Sequence, residues 1–309
     1  MRERAGRGVK SKMIKKLFYY AKWFFECRFL GQRKPLQSVI FITDKCNLHC
    51  KHCSIVKNDF SISRTYEEIK ETLKKCYKMG SRIVDFEGGE PTIWQDNDKN
   101  INDLIDLAKK IGYFSTTVTT NAQQPINLKS NLVWISIDGD KQAHETCRGH
   151  GTYEKLMENI DESNHSCLNV NMTITKLNYF CVEDVIKMVK AHKKLKKISL
   201  SFLTPHGASF DLMVSDQIRE EVIDKIIELK KQNYPIMNSL AGLELLKSRK
   251  FKPQCWITNF VLANGTYLDT CPGEKEEICE NCGYGMATEM SLVFDLNPQT
   301  ILAGLGVRK

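Results

Sequence analysis

Val39-Ile-Phe-Ile-Thr43-Asp-Lys-Cys46-Asn-Leu-His-Cys50-Lys-His-Cys53 joins a short apolar, β-branched run to three closely spaced cysteines. The run reads as a buried strand. Cysteines at C-x3-C-x2-C spacing can converge on one face of an iron–sulfur cube. A [4Fe–4S] cluster needs four ligands and this motif supplies three, which leaves one iron open to a ligand that is not protein. An open iron is what a redox enzyme needs to pass an electron to a bound small molecule. A structural zinc site, or a set of buried reduced thiols, is the competing use of Cys46, Cys50 and Cys53.

Five further apolar runs follow that first one: Ile83–Phe86, Phe114–Thr119, Leu132–Ile137, Val170–Ile174 and Ile198–Phe202. Amphipathic helical patterns fall between or after them, over Tyr66–Met79, Ile101–Ile111, Tyr153–Asp161, Val182–Lys193 and Asp216–Gln232. Strand–helix alternation implies α/β architecture, with parallel strands joined by right-handed crossovers. Six such units predict a (β/α)6 partial barrel. Chemistry in parallel α/β barrels gathers at the C-terminal ends of the strands. The polar motifs fall there. The three cysteines follow the first strand, Gly88-Gly89-Glu90-Pro91 the second, Thr120-Asn121 the third, and Ser136 with Asp138 the fourth.

Taken together, C-x3-C-x2-C, the Gly-Gly-Glu-Pro turn and Ser136-Ile-Asp138-Gly139 followed by Arg148-Gly149 resemble the radical S-adenosylmethionine (radical SAM) superfamily. The resemblance covers roughly residues 36–210. It implies the superfamily's partial TIM barrel over 36–235. It also implies a [4Fe–4S] cluster on Cys46, Cys50 and Cys53, with SAM at the open iron. By the same resemblance Gly88, Gly89, Glu90 and Pro91 hold the SAM amino group. Ser136 and Asp138 lie near its ribose, Arg148 near its carboxylate, and Thr120 and Asn121 line the pocket. His52 stands where the superfamily usually has an aromatic residue near the adenine. The implied activity is reductive cleavage of SAM to methionine and a 5′-deoxyadenosyl radical. A one-electron donor such as flavodoxin or ferredoxin would supply the reductant.

A second cysteine set lies at Cys255, Cys271, Cys279 and Cys282. An Asn264-Gly265 turn between the first two suits a hairpin. Four thiolates could complete another [4Fe–4S] cluster, or a zinc knuckle. The pattern resembles the SPASM/twitch extension of radical SAM enzymes, which assigns residues 236–309 to a small cysteine-rich extension with an auxiliary cluster. Five residues rather than four separate Gly265 from Cys271. A narrower likeness to adenosylhopane synthases rests on Trp134-Ile-Ser-Ile-Asp-Gly139, Asn171-Met-Thr-Ile174 and Gly283-Tyr284. Cys147 adjoins Arg148 and is a candidate hydrogen-atom donor to a product radical. A packed helix residue is the competing reading.

The chain has 309 residues, 12 cysteines and a formal net charge of +8. Residues 1–34 hold eleven Lys/Arg against two Glu, a net of +9, so the body carries −1. Within this basic leader (residues 1–35) Ile14, Leu17, Phe18, Ala21, Phe24 and Phe25 share a helical face. Such a face suits an anionic membrane surface or packing on the barrel. No secretory signal is expected and no apolar run reaches membrane-spanning length, so the expected place is the cytoplasm or the inner membrane surface. Two substrate readings follow: a lipid or isoprenoid near a membrane, or a precursor peptide or protein. A non-catalytic iron–sulfur or zinc protein is the third. Lys193-Lys194-Leu-Lys196-Lys197 is a short solvated run, and no nucleic-acid partner is expected.

Overall fold

The computed structural model describes residues 2–55, 62–206 and 210–305. Strands β1 (Gln37–Phe41), β2 (Ile83–Glu87), β3 (Ser115–Thr120), β4 (Leu132–Ser136), β5 (Leu168–Ile174) and β6 (Leu195–Phe202) lie side by side in chain order, all parallel. This is the partial-barrel order expected. Helices α2 (Tyr66–Met79), α3 (Ile101–Ile111), α4 (Lys141–Arg148), α5 (Thr152–Glu162), α6 (Val182–Ala191) and α7 (Asp216–Lys231) supply the crossovers. One unit differs from the expected six: β3 reaches β4 through residues 121–131, which hold no helix. α4 was not legible because its buried residues are Ala143, His144 and Cys147, which make no clear apolar stripe.

Local chemistry fixes the helix ends. Thr65 and Glu68 form a reciprocal capping box at the start of α2. Gly80 ends that helix at φ 126, a conformation that a side chain resists.

Alternation along the strands sorts residues into two layers. Ile40, Val84, Phe86 and Val118 face outward into a core with α2 and α3. Val133, Ile135, Val170, Met172, Ile198 and Leu200 do the same against α5, α6 and α7. The alternate positions face the lumen. On β2 to β6 these include Glu87, Thr119, Ser136, Asn171, Thr173 and Ser201, which are all polar. The apolar lining comes from Val39 and Phe41 of β1, from Phe202 and Leu203 at the end of β6, and from Phe260, Leu262, Met286 and Met290 of the closing segment.

The residues beyond 236 do not stand apart from the barrel. β7 (Thr258–Val261) pairs in parallel with the free edge of β1, and β8 (Tyr267–Leu268) pairs antiparallel with β7. The chain then crosses to the opposite edge. There Phe202 N donates to Gly283 O at 2.8 Å and Gly285 N donates to Ser201 Oγ at 3.1 Å. Side chains at Gly283 and Gly285 would strike the carbonyls of Phe202 and Leu200. The C-terminal segment therefore closes the open side of the barrel. Helices α8 (Leu240–Ser248), α9 (Gly285–Phe294) and α10 (Pro298–Leu305) complete it.

The leader forms one helix, α1 (Arg2–Phe29), and the face it buries is not the one its apolar pattern favours. Tyr19, Tyr20 and Trp23 pack inward. The Tyr19 hydroxyl donates to Gly80 O, Trp23 Nε1 to Lys34 O at 2.9 Å and Lys16 Nζ to Phe114 O at 3.0 Å. Each acceptor lies just before β1, β2 or β3, so α1 runs under the N-terminal ends of the strands. Arg82 stacks between Tyr19 and Tyr77, 4.4 and 3.8 Å from their ring centres. Met13, Ile14, Leu17, Phe18 and Phe25 stay exposed on the opposite side, while Phe24 reaches Phe294. Truncating Trp23 to Ala is expected to cost about 3 kcal/mol or more. Truncating Phe18 to Ala should change stability by less than about 0.5 kcal/mol. Urea unfolding of the two variants checks both.

Candidate active site

A cavity of about 1020 Å³ fills the lumen and opens at the C-terminal ends of the strands. Cys46, Cys50 and Cys53 line it together, as the spacing requires. The backbone of their loop is fixed from three sides. Lys51 N donates to Cys147 O at 2.9 Å, Cys53 N to Cys50 O at 3.1 Å, and Glu90 N to Lys45 O at 2.8 Å. Donors also point at the sulfurs. Leu48 N lies 3.4 Å and Asn121 Nδ2 3.9 Å from Cys46 Sγ, and Arg148 Nη1 lies 3.9 Å from Cys50 Sγ. Burial pushes the Cys50 thiol up to about 11, against the pull of Arg148. Among the described residues no three His, Cys, Asp or Glu side chains close around a single metal ion. A cube takes one thiolate on each of its irons, and three cavity-facing thiols on one short loop suit that donor set.

Asp138 organises the wall beside them. It is fully buried, and its Oδ2 accepts from Arg148 Nε at 2.6 Å and faces His52 Nε2 at 3.5 Å. Its Oδ1 accepts from Thr173 N at 3.2 Å. Burial alone would raise the Asp138 carboxyl, but Arg148 and the two nearby histidines outweigh it and hold the group below the usual range. Burial lowers the His52 imidazole below its ordinary range, against the pull of Asp138, and drives His144 down to about 4.

Glu90 braces the neighbouring strand end. Its Oε1 accepts from Thr92 N at 3.0 Å, Thr92 Oγ1 at 2.6 Å and Thr120 Oγ1 at 2.7 Å. Among the described residues its Oε2 accepts only from Asn121 N at 2.7 Å, which leaves capacity on that oxygen toward the cavity.

Residues 40–191 match the family model described as the radical SAM superfamily. The chain carries a radical SAM domain. It is 30% identical to a GTP 3′,8-cyclase of Clostridium botulinum (strain Okra / Type B1) over 216 residues, 62% of this chain and 63% of that one. The chain thus spans less than two thirds of that relative's length. It is 24% identical to an Fe-coproporphyrin III synthase of Methanosarcina barkeri (strain Fusaro / DSM 804), over 65% of this chain and 53% of that one. The fold matches the crystal structure of Streptococcus suis SuiB bound to S-adenosylmethionine at a TM-score of 0.62. Sequence identity there is 17%, over 78% of this chain and 61% of that one. Radical SAM proteins use a [4Fe–4S] cluster and SAM, which agrees with the cysteine face described above.

Within this radical SAM domain several residues stand differently from expectation. Gly88 and Gly89 line the cavity and also make room for protein: a side chain at either would strike the carbonyls of Thr43, Asp44 or Lys45. They dock the β2 end against the loop that carries Cys46. Pro91 opens a buried 3-10 turn and does not line the cavity. Asp138 does not line it either; only Ser136 of that pair does, and Asp138 acts by holding Arg148 and His52. Arg148, His52, Glu90, Thr120 and Asn121 all reach the cavity. Cys147 does not: it is 1% exposed, its thiol is pushed up to about 12 by burial, and the role of hydrogen-atom donor has no geometric support.

Of the second cysteine set, Cys255, Cys271 and Cys282 line the cavity near the barrel's closing seam, whereas Cys279 is exposed. The Cys255 thiol donates to the Cys271 sulfur, which holds Cys271 below the ordinary thiol range and Cys255 above it.

Asp85, Glu87 and Tyr284 were not singled out as site residues, yet Glu87 and Tyr284 line the lumen and both carboxyls act electrostatically on the Tyr284 phenol. Two acids at alternate positions of an otherwise buried strand, Ile83-Val-Asp-Phe-Glu87, are the signal that identifies the first two.

The buried histidines make the domain acid-labile. An unfolded histidine binds its proton near pH 6.5, whereas His144 in the fold does so only near 4. Between those values the unfolded chain holds more protons, so stability falls as pH falls. The loss from His144 is on the order of 3 kcal/mol. His144→Gln cannot charge, and its unfolding free energy should show a shallower slope across this window in urea melts, with His52 leaving some slope behind.

Proposed function

We propose that this chain is a radical SAM enzyme that reductively cleaves SAM and directs the radical onto a polar substrate, a peptide or a small molecule, held in the lumen. The observation that carries the reading is the join between the cysteine face and a chamber in which hydroxyls, amides and carboxyls at the strand ends stand opposite apolar side chains. Cys46, Cys50 and Cys53 would hold the [4Fe–4S] cluster, and with SAM bound there the pair would supply one electron and a 5′-deoxyadenosyl radical. Arg148 presents a permanent cation beside Cys50, suited to a carboxylate. Glu90 Oε2 offers an acceptor for an ammonium. Ser136 and His52 line the same wall. A flavodoxin or ferredoxin is the proposed electron donor. Cys255, Cys271, Cys279 and Cys282 are proposed to hold an auxiliary cluster of SPASM/twitch type.

The lipid or isoprenoid reading is the weaker one. A hydrocarbon could lie against the apolar side chains of this lumen, but each strand-end polar group that it covered would lose its partners at about 1–3 kcal/mol. The C. botulinum relative's name gives a polar substrate, GTP. The test is anaerobic incubation of iron- and sulfide-reconstituted protein with SAM and dithionite. Formation of 5′-deoxyadenosine, absent in Cys50→Ala, is expected; equal traces in both proteins would end the enzyme reading.

The leader has a separate proposed role. No helix among the described residues is long and apolar enough to cross a membrane. The exposed strip Ile14, Leu17, Phe18 and Phe25, edged by Lys15 and Lys22, suits the surface of an anionic bilayer. Co-sedimentation with phosphatidylglycerol vesicles is expected, and should be lost in Leu17→Ser/Phe18→Ser and weakened by salt. Binding that survives both changes would refute this docking mode.

A further inference from the structure

Asp85 and Glu87 alternate on β2 with Val84 and Phe86, so both carboxyls face the lumen while the apolar pair faces the helices. Asp85 is 6% exposed; the Thr117 and Thr119 hydroxyls reach its carboxyl, but among the described residues its Oδ1 meets no hydrogen-bond partner. One step lower on β3 the Ser115 hydroxyl is fully buried and also unpartnered. Glu87 lines the cavity and receives only a long 3.4 Å contact from Thr119 Oγ1. Among the described residues no cation faces either carboxyl. On the flanking strands β1 offers Val39 and β3 offers Thr117 and Thr119. From the closing segment the Tyr284 phenol acts on both carboxyls, with the Cys271 and Cys282 thiols beyond it. Burial pushes both carboxyls above the ordinary range, and Glu87 raises Asp85 further.

Two adjacent acids withdrawn from water are costly unless they share protons or meet a positive partner. This pair has no positive partner among the described residues, and Glu87, with Asp85 behind it, opens on the chamber that must receive a ligand. Paired carboxyls present the acceptor geometry that ammonium and guanidinium donors fill. A metal ion would need further ligands, and among the described residues no third ligating side chain completes such a set.

We propose that Asp85 and Glu87 are a recognition site for a cationic nitrogen group, an ammonium or guanidinium, on the substrate. The inference deepens the reading of the lumen as a substrate chamber and rests on it. Glu87 directly precedes Gly88-Gly89-Glu90, so a group held there lies at the strand end beside the cysteine face.

The test is calorimetric titration of the anaerobically reconstituted full chain, without reductant, using n-butylguanidinium and its neutral analogue pentanamide. The cation should bind at least about tenfold more tightly, the difference that one charged hydrogen-bonded contact supplies. Glu87→Gln should abolish that preference and Asp85→Asn should reduce it. Both changes are nearly isosteric and remove an unpaired acid, so thermal melts should sit at or above wild type. Equal affinity for the two probes in the wild type, or an unaltered preference in Glu87→Gln, overturns the proposal. Magnesium chloride that displaces butylguanidinium competitively overturns the organic-cation assignment. Because no reductant is present, the result is independent of SAM cleavage. Loss of 5′-deoxyadenosine formation would sink the radical reading alone, and loss of cation preference would sink this one alone.

Discussion

One buried carboxylate ties the candidate site together. Asp138 sits at the end of β4 with no exposed surface, yet it stays ionised because Arg148 meets it at 2.6 Å and Thr173 N satisfies its second oxygen. Through Arg148 it sets the end of α4, through Thr173 the end of β5, and through His52 the loop between the last two cysteines of the motif. Remove the charge and three elements lose a common anchor, and Arg148 is left buried without its counter-ion. Single-partner losses of that kind cost about 3–5 kcal/mol, more than most surface interactions together. The guanidinium near Cys50 is thus placed by a group that touches no ligand.

Much of this was legible in the sequence. The six apolar runs became the six parallel strands in their expected order, because a parallel strand covered on its outer face must carry Val, Ile or Leu at alternate positions. The cysteine motif is short and local, so its convergence needed no knowledge of the rest. Glu90, Thr120 and Asn121 meet as neighbouring strand ends do. What stayed hidden depends on contacts between distant segments. Gly88 and Gly89 signal close approach, but a sequence does not say whether a ligand or a backbone approaches. Here the backbone of Thr43 to Lys45 does, on glycines that also border the cavity. The leader's apolar periodicity is real, yet α1 buries Tyr19, Tyr20 and Trp23, whose rings carry polar handles that find acceptors on the barrel. Cys147 looked close to the chemistry in sequence; a helix turns its side chain inward.

The C-terminal segment resolves a problem that a six-stranded open barrel creates for itself. Such a sheet has two free edges and a lumen exposed between them. Here β7 covers one edge and Gly283 caps the other, so the cysteines at 255, 271 and 282 stand along the seam. Any group bound by them would touch both sides of the closure. The barrel's integrity and the chemistry of the second cysteine set are therefore not independent: loosening one should loosen the other.

The position of α1 bears on traffic. It runs beneath the starts of β1, β2 and β3, whereas the cysteine face opens at their ends. A surface gripped by the outward strip of α1 would hold the molecule by its base, with the mouth turned to the aqueous phase. Such a tether would confine the enzyme laterally and still leave its entrance clear for a dissolved substrate and for an electron carrier arriving from solution.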